Sequence, residues 1–269
     1  MVLSFWQVSW LAAIQGVTEF LPISSSAHLL LPSLLLGWPD QGLTFDVAVH
    51  FGSLIAVLLY FRKELLLIVN AWLLQVFKGQ RTSHAKLAWL LIMATIPAGV
   101  SGLLLNGVVS DYARALPVIG SSSIVFALLL LWSERQSNQQ QSIESLNLKQ
   151  MLLIGLAQAF ALIPGASRSG MTMMAALGCN LKKSEAARLS FLLSIPIILA
   201  SAALKTTELF QSTEEVVIWP QLLYGALISG LVAFGCIQLF LEAINRIGFL
   251  PFVIYRIALG VMLLAVYFL

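Results

Sequence analysis

The chain has 269 residues, of which 59% are apolar and 10% charged, with a net charge of +3 and a mean hydropathy of +0.92. A soluble domain carries about 25% charged residues, so this composition excludes a soluble globular fold and predicts an all-α polytopic membrane protein. The small positive charge belongs to loops and gives no argument for nucleic-acid binding, and the two cysteines, Cys179 and Cys236, lack metal-ligand spacing.

No basic segment precedes the first apolar run and no small-residue cleavage site follows it, so no cleavable leader is expected. Residues 5–21 and 29–37 are apolar but fall short of the about 20 residues that cross a bilayer, and Pro22 and a serine cluster lie between them. Two half-length helices joined by a polar loop predict a re-entrant pair, which is tolerated where irregular backbone is buried in protein or lines a wet cavity. Residues 45–61 read as a full span ending at Arg62 and Lys63, 64–78 as an amphipathic surface stretch, and 87–105 and 115–133 as further spans.

A Gln/Ser/Asn-rich connection, 134–149, reads as a cytoplasmic linker inside a single integral-membrane domain, 1–269, separating repeat one (1–133) from repeat two (150–269). The second half opens as the first does. An apolar segment, 150–163, runs into Pro164-Gly165-Ala166-Ser167-Arg168-Ser169-Gly170, and a short segment, 171–180, follows. A shift of 142 residues places Pro22 on Pro164, Ser25 on Ser167 and span 45–61 on 187–203. Each half then holds a re-entrant helix pair and three transmembrane helices, and that odd number of crossings makes two inverted-topology repeats.

Lys and Arg gather on the cytoplasmic side of membrane proteins. With 62–86, 134–149, 180–188 and 243–248 inside, that face carries Arg62, Lys63, Lys78, Arg81, Lys86, Arg135, Lys149, Lys182, Lys183, Arg188 and Arg246. The outer face keeps Arg114 and Lys205 with Asp40, Asp111, Glu208, Glu214 and Glu215, and both termini lie outside. Arg168 and Arg256 are the basic residues left within the membrane.

A carboxylate at bilayer depth costs about 2.5 to 3.5 kcal/mol, so Glu19 in the first hairpin marks a functional site. If the hairpin tips meet at midplane, Glu19, Ser25 and His28 face Ser167, Arg168 and Thr172. A guanidinium at a helix start among hydroxyls suits an oxyanion, phosphate above all. Gln15 and Glu19, four apart on one helix face, offer oxygens to a divalent cation bridging a phosphate. Either Ser25 or His28 is placed to attack phosphorus, with His28 otherwise serving as base. Glu19 and Arg168 also fit a structural ion pair, and Ser24 and Ser26 fit the satisfaction of loose backbone groups. Gln158 fits an interhelical partner or a site-facing group; His50 and His84 are read as non-catalytic, and Arg256 as a snorkelling or paired residue. No phosphate-binding G-x-x-x-x-G-K loop and no H-E-x-x-H motif occurs, and no histidine follows His84, which excludes a vanadium-haloperoxidase type of lipid phosphatase.

Two motifs carry a resemblance that covers essentially the whole chain. Gln15 and Glu19 followed by Phe20-Leu21-Pro22-Ile23-Ser24-Ser25-Ser26-Ala27-His28, together with Pro164-Gly165-Ala166-Ser167-Arg168-Ser169-Gly170-Met171-Thr172, resemble the signatures of the bacterial undecaprenyl-diphosphate phosphatases of the BacA type, linked to bacitracin resistance. Gln15 stands where many members carry Glu, and Ser26-Ala27 where Thr-Gly is common.

The resemblance implies a Mg²⁺- or Ca²⁺-dependent hydrolase of the bacterial inner membrane, its site opening to the periplasm, that recycles the lipid carrier for peptidoglycan. It implies Glu19, Ser25, His28 and Arg168 as catalytic residues, Ser24, Ser26, Ser167, Ser169 and Thr172 as substrate-binding residues, and Glu19 and Gln15 as metal ligands. The expected partners are a polyprenyl diphosphate and membrane lipids, with homodimer formation open. A transporter or flippase of an anionic prenyl phosphate is the alternative, since inverted repeats suit alternating access.

Overall fold

The computed structural model describes residues 3–112, 115–211 and 218–268, with the side chains of 106–112, 205, 206 and 208–211 outside the description. The expected outer-face residues Asp111, Arg114, Lys205, Glu208, Glu214 and Glu215 therefore lie outside the described side chains. Among the described residues the chain is helical, and the one extended pairing is a parallel bridge between Gln141 and Leu181.

Helix α1 (Phe5–Thr18) opens on a capping box in which Ser4 and Gln7 satisfy each other's backbone N–H groups. It stops at Thr18 because the ring of Pro22 would strike the Thr18 carbonyl four residues back if the helix continued. Helix α2 (Ser25–Leu36) returns and ends on Gly37, whose φ of 64° is the left-handed cap glycine permits. Helices α3 (Gly42–Tyr60), α4 (Arg62–Lys78), α5 (Ser83–Tyr112) and α6 (Leu116–Gln136) follow.

Helix α7 (Leu148–Ala159) opens on the same device, an Asn147–Gln150 capping box, and gives way to a 3-10 turn, Phe160–Leu162, before Pro164. Helix α8 (Arg168–Gly178) returns, and α9 (Lys183–Gln211), α10 (Trp219–Ile247) and α11 (Leu250–Phe268) complete the chain.

Among the described residues, six helices are long and apolar enough to cross a membrane: Gly42–Tyr60, Ser83–Leu105, Leu116–Gln136, Lys183–Leu204, Trp219–Ile247 and Leu250–Phe268, with mean hydropathies of 1.8 to 2.0. This is a multi-pass membrane protein. Helix α1, at 14 residues, is about 21 Å long, and α2, α7 and α8 are shorter, so none matches a hydrocarbon core of about 30 Å.

Some local features of the two halves repeat at a spacing one residue longer than expected. Ser4 and Asn147 share a capping role, Gln7 and Gln150 another, and Ser24 (φ 72°) and Ser167 (φ 71°) share a left-handed backbone at the start of the returning helix. These shared local features stand 143 residues apart, which sets Ser167 beside Ser24, whereas the two loop prolines stand 142 apart. The returning helices also start earlier than expected, at Ser25 and Arg168 rather than 29 and 171. Ser25, Ser26 and His28 thus occupy the first turn of a helix rather than a loop.

Packing is reciprocal between the halves: α1 lies on α10 and α7 lies on α5, while α3 pairs with α10 and α6 with α11. Small residues allow the close approach on which helix association in lipid depends. A Cβ on Gly16 would meet the Ser229 carbonyl at 2.7 Å, one on Gly120 would meet the Gly260 carbonyl at 2.9 Å, and one on Gly52 would run into the Ala226 carbonyl. Gly52→Ala is therefore expected to lower the thermal midpoint by the equivalent of about 1–3 kcal/mol. Gly235→Ala, whose Cβ meets nothing within 4 Å, is expected to leave the midpoint unchanged or raise it.

An aromatic chain through the core fixes the first hairpin tip: Phe20 packs edge-on against Phe191 at 5.3 Å, and Phe191 contacts Phe240 at 5.8 Å. At the end of the bundle that carries Arg62 and Lys63, Arg188 joins Glu64 at 2.6 Å, Glu185 at 3.4 Å and Glu144 at 3.7 Å. Lys183 meets Glu134 at 2.9 Å, and Glu134 accepts the Phe249 N–H at 3.1 Å, tying α6, α9 and α11 together.

Candidate active site

The site grows from two helix breaks that face each other. Glu19 follows the last residue of α1, its N–H still bonded to the Gln15 carbonyl at 3.0 Å, and the buried Phe20 beside it holds the tip in the core. Across from it, Gly165 at φ 87° and Ser167 at φ 71° turn the second loop so that α8 starts at Arg168. Ser167 Oγ accepts the Gly170 N–H at 3.2 Å, which caps that helix.

The second loop is held from behind by α6 and α11. Ser122 donates its hydroxyl to the Pro164 carbonyl, and Ser123 donates to the Gly165 carbonyl at 3.3 Å. Arg256 is fully buried, and its guanidinium donates to Gly165 O at 2.9 Å, Ala166 O at 2.8 Å and Pro22 O at 3.4 Å. One side chain of α11 thus fastens both loops. Of the two expected roles, snorkelling or pairing, the structure contains the second, with backbone carbonyls as the partners.

At the junction the Glu19 carboxylate is the hub. Oε1 accepts from Arg168 Nη2 at 2.8 Å, while Oε2 accepts from Ser25 Oγ at 2.8 Å and from Gln15 Nε2 at 3.0 Å. The pair is nearly dry, with 7% of the Glu19 side chain and 15% of the Arg168 side chain exposed, so the charge-assisted bond is strong and its loss would strand a charge. Arg168 Nη1 donates to the Ser190 carbonyl at 3.2 Å, which fixes the guanidinium plane.

His50, read as non-catalytic from the sequence, is brought to this hub. Its Nδ1–H donates to the Asp46 carbonyl at 2.7 Å, which presents Nε2 to Glu19 Oε2 at 3.6 Å. The only sequence signal was a histidine four residues beyond Asp46 on a span. His28 has different partners: Nδ1–H donates to the Ser24 carbonyl at 2.7 Å, and Nε2 accepts the Tyr255 hydroxyl at 2.6 Å, with the two rings stacked at 5.4 Å.

The remaining expected residues hold the loops. Ser169 Oγ donates to the Leu21 carbonyl at 2.8 Å, bridging the hairpins. Thr172, fully buried, bonds to the carbonyls of Arg168 and Ser169 and to Ser190 Oγ at 2.7 Å. Ser24 lies 3.2 Å from Ser26, and Ser26 is exposed at the mouth of the site. Gln158, the counterpart of Gln15, is buried with neither amide atom partnered.

No group of three His, Cys, Asp or Glu side chains suited to a metal occurs among the described residues. Gln15 Oε1 is buried without a hydrogen-bond partner beside Glu19, an oxygen free to act as a ligand. Such a donor set fits a hard cation that keeps its waters and takes phosphate oxygens.

The family model for bacitracin resistance protein BacA matches residues 8–262. The chain belongs to that family. The BacA-family chain is 53% identical to an undecaprenyl-diphosphatase of Alteromonas mediterranea over 262 residues, 97% of this chain and 98% of that one. It is 53% identical to an undecaprenyl-diphosphatase of Chromohalobacter salexigens over 254 residues, covering 94% of this chain and 96% of that one. With undecaprenyl-diphosphatase 1 of Pseudoalteromonas translucida it shares 51% identity over 259 residues, 96% of this chain and 97% of the relative. Both BacA-type signatures lie inside the matched region.

Proposed function

We propose that this chain hydrolyses undecaprenyl diphosphate to undecaprenyl phosphate and inorganic phosphate, regenerating the lipid carrier of peptidoglycan synthesis and thereby conferring bacitracin resistance. One observation carries the chemistry: a single buried carboxylate, Glu19, joins the hydroxyl of Ser25 from one hairpin to the guanidinium of Arg168 from the other. Transport of an anion needs the arginine, but it has no use for a hydroxyl held on a base.

Ser25 Oγ attacks the terminal phosphorus while its proton passes to Glu19 Oε2. The bond to the bridging oxygen breaks, and undecaprenyl phosphate leaves. Glu19 gives that proton to the departing undecaprenyl phosphate, then takes one from the water that attacks the phosphoserine and returns it to Ser25 Oγ as the P–O bond breaks and phosphate departs. Arg168, released from Glu19 Oε1 as substrate enters, takes the charge that grows on the phosphoryl oxygens. Ser167, Ser169 and Thr172 position Arg168, Ser24 and Ser26 shape the entrance, and His50 orients Glu19. His28, with Nε2 occupied by Tyr255, supports the loop beside Ser25. Gln15 and Glu19 would hold Mg²⁺ or Ca²⁺, which neutralises diphosphate charge when bound.

The chain sits in the inner membrane as one domain of two inverted repeats, with α1–α2 and α7–α8 as re-entrant pairs and 134–149 as the cytoplasmic linker. The reciprocal packing and the basic residues at one end of the bundle support this reading. The site opens to the periplasm past exposed Ser26 and half-buried His50, on the opposite side from Arg62 and Lys63.

Purified protein is expected to release phosphate from undecaprenyl diphosphate, to stop with EDTA and to resume with Mg²⁺. Vesicles that move the lipid without phosphate release would favour the transporter. His50→Ala is expected to lower kcat about tenfold, the effect of about 1.4 kcal/mol in the barrier, with His50→Gln intermediate.

A further inference from the structure

A second site of different chemistry lies at the other end of the bundle. A cavity of about 610 Å³ opens where α4, α5 and the start of α7 meet, lined by Gln75, Arg81, Lys86, Trp89, Asn147 and Leu148 among others. Its size is that of a small-molecule pocket.

Two features set it apart from a solvated groove. Its cations are not neutralised by carboxylates: Arg81 has no ion pair among the described residues, and Lys86 Nζ donates only to the backbone carbonyl of Glu144, at 3.3 Å. The Glu144 carboxylate turns instead to Arg188. Polar groups on α4 are also shut off from water without partners, namely Gln75 Oε1 in the lining and Nε1 of Trp72, which meets Trp89 edge-on at 5.9 Å.

We infer that this cavity binds the headgroup of an anionic phospholipid, its phosphate between Arg81 and Lys86. The surroundings suit the rest of such a molecule. Leu90, Met93 and Leu148 give the cavity an apolar wall, and α4 exposes Leu66, Leu73 and Phe77 beside it for the acyl chains. Tryptophan is at home at that depth, with its ring in the acyl region and its N–H toward the headgroups. Basic pockets between helices are the recurring form of anionic-lipid recognition. A free phosphate would use the cations but has no use for the apolar wall. The inference rests only on this end of the bundle meeting a membrane surface, and the hydrolytic reading can fail without touching it.

The test is native mass spectrometry of the full chain in detergent with dioleoylphosphatidylglycerol or dioleoylphosphatidylcholine, beside thermal midpoints in inorganic phosphate. Wild type is expected to retain one phosphatidylglycerol in preference to phosphatidylcholine. Arg81→Ala with Lys86→Ala is expected to weaken that retention roughly thirtyfold, about fivefold for each cation. Arg81→Lys with Lys86→Arg should keep the preference, which separates lost charge from a lost fold. Equal retention of both lipids by wild type, or an unchanged preference in the alanine pair, would overturn the assignment. A midpoint raised by phosphate alone in wild type and not in the alanine pair would assign the cations to a soluble anion and overturn it as well.

Discussion

Ser25→Ala and Glu19→Gln are each expected to lower phosphate release from undecaprenyl diphosphate by about 10²–10⁴, the range spanned by loss of a positioned acid or base. The two variants part in stability. Ser25 is one of several donors to Glu19, and its loss leaves the ion pair with Arg168 whole, so its melting is expected to stay at the wild-type value. Glu19→Gln faces a nearly buried guanidinium with a neutral amide, and removing one partner of such a pair costs about 3–5 kcal/mol, so the midpoint is expected to fall. Rapid acid quench with terminally labelled substrate identifies the attacking atom. Label on residue 25 as acid-stable phosphoserine supports the mechanism, whereas acid-labile phosphohistidine at His28 overturns it. His28→Ala is expected to cost far less than Ser25→Ala, since its ring serves Ser24 and Tyr255.

Arg256→Met is expected to give the largest loss of stability of any single change outside the Glu19 hub. The substitution keeps much of the side-chain volume but strands the carbonyls of Pro22, Gly165 and Ala166. Each buried unsatisfied group costs about 1–3 kcal/mol, partly offset by no longer burying a charge whose Nε lacks a partner. A net loss of several kcal/mol is expected as a lower thermal midpoint, with activity falling in step because both loops loosen. Arg256→Lys is expected to recover part of the loss, since an ammonium supplies the charge but no planar fork. A wild-type midpoint in Arg256→Met would show that the loops hold their shape without this clamp.

The spans and the short helices beside the two loops were legible because each is written locally. Apolar run length separates α3 from α2, and a proline four residues beyond Thr18 or Phe160 marks the end of a helix at those two loops, although Pro32, Pro97 and Pro196 lie inside helices. The partnership of Glu19 with Arg168 was legible too, because two uncompensated charges in apolar surroundings have few other partners. His50 was hidden for the opposite reason. Its approach to Glu19 depends on how α3 is rotated against α1, which no local pattern records. The prolines suggest a spacing of 142 residues, whereas the left-handed serines at 24 and 167 stand 143 apart, a likeness of backbone that only the structure displays. Arg256 stood out as a buried charge, but the carbonyls it serves belong to loops far away in sequence, so its clamping role was legible only in space.

The packing of α1 on α10 and of α7 on α5 also imposes an order in time. Helix α1 leaves the ribosome first, yet roughly 200 residues separate Thr18 from Trp219 at the start of its packing partner α10, about 10–40 s of synthesis at 5–20 residues per second. Through most of that interval Glu19 also lacks Arg168, its charged partner in the finished structure. The Glu19–Arg168 junction is consequently completed late in synthesis. A nascent chain cut short before α10 carries both signature motifs and no place to seat the first of them.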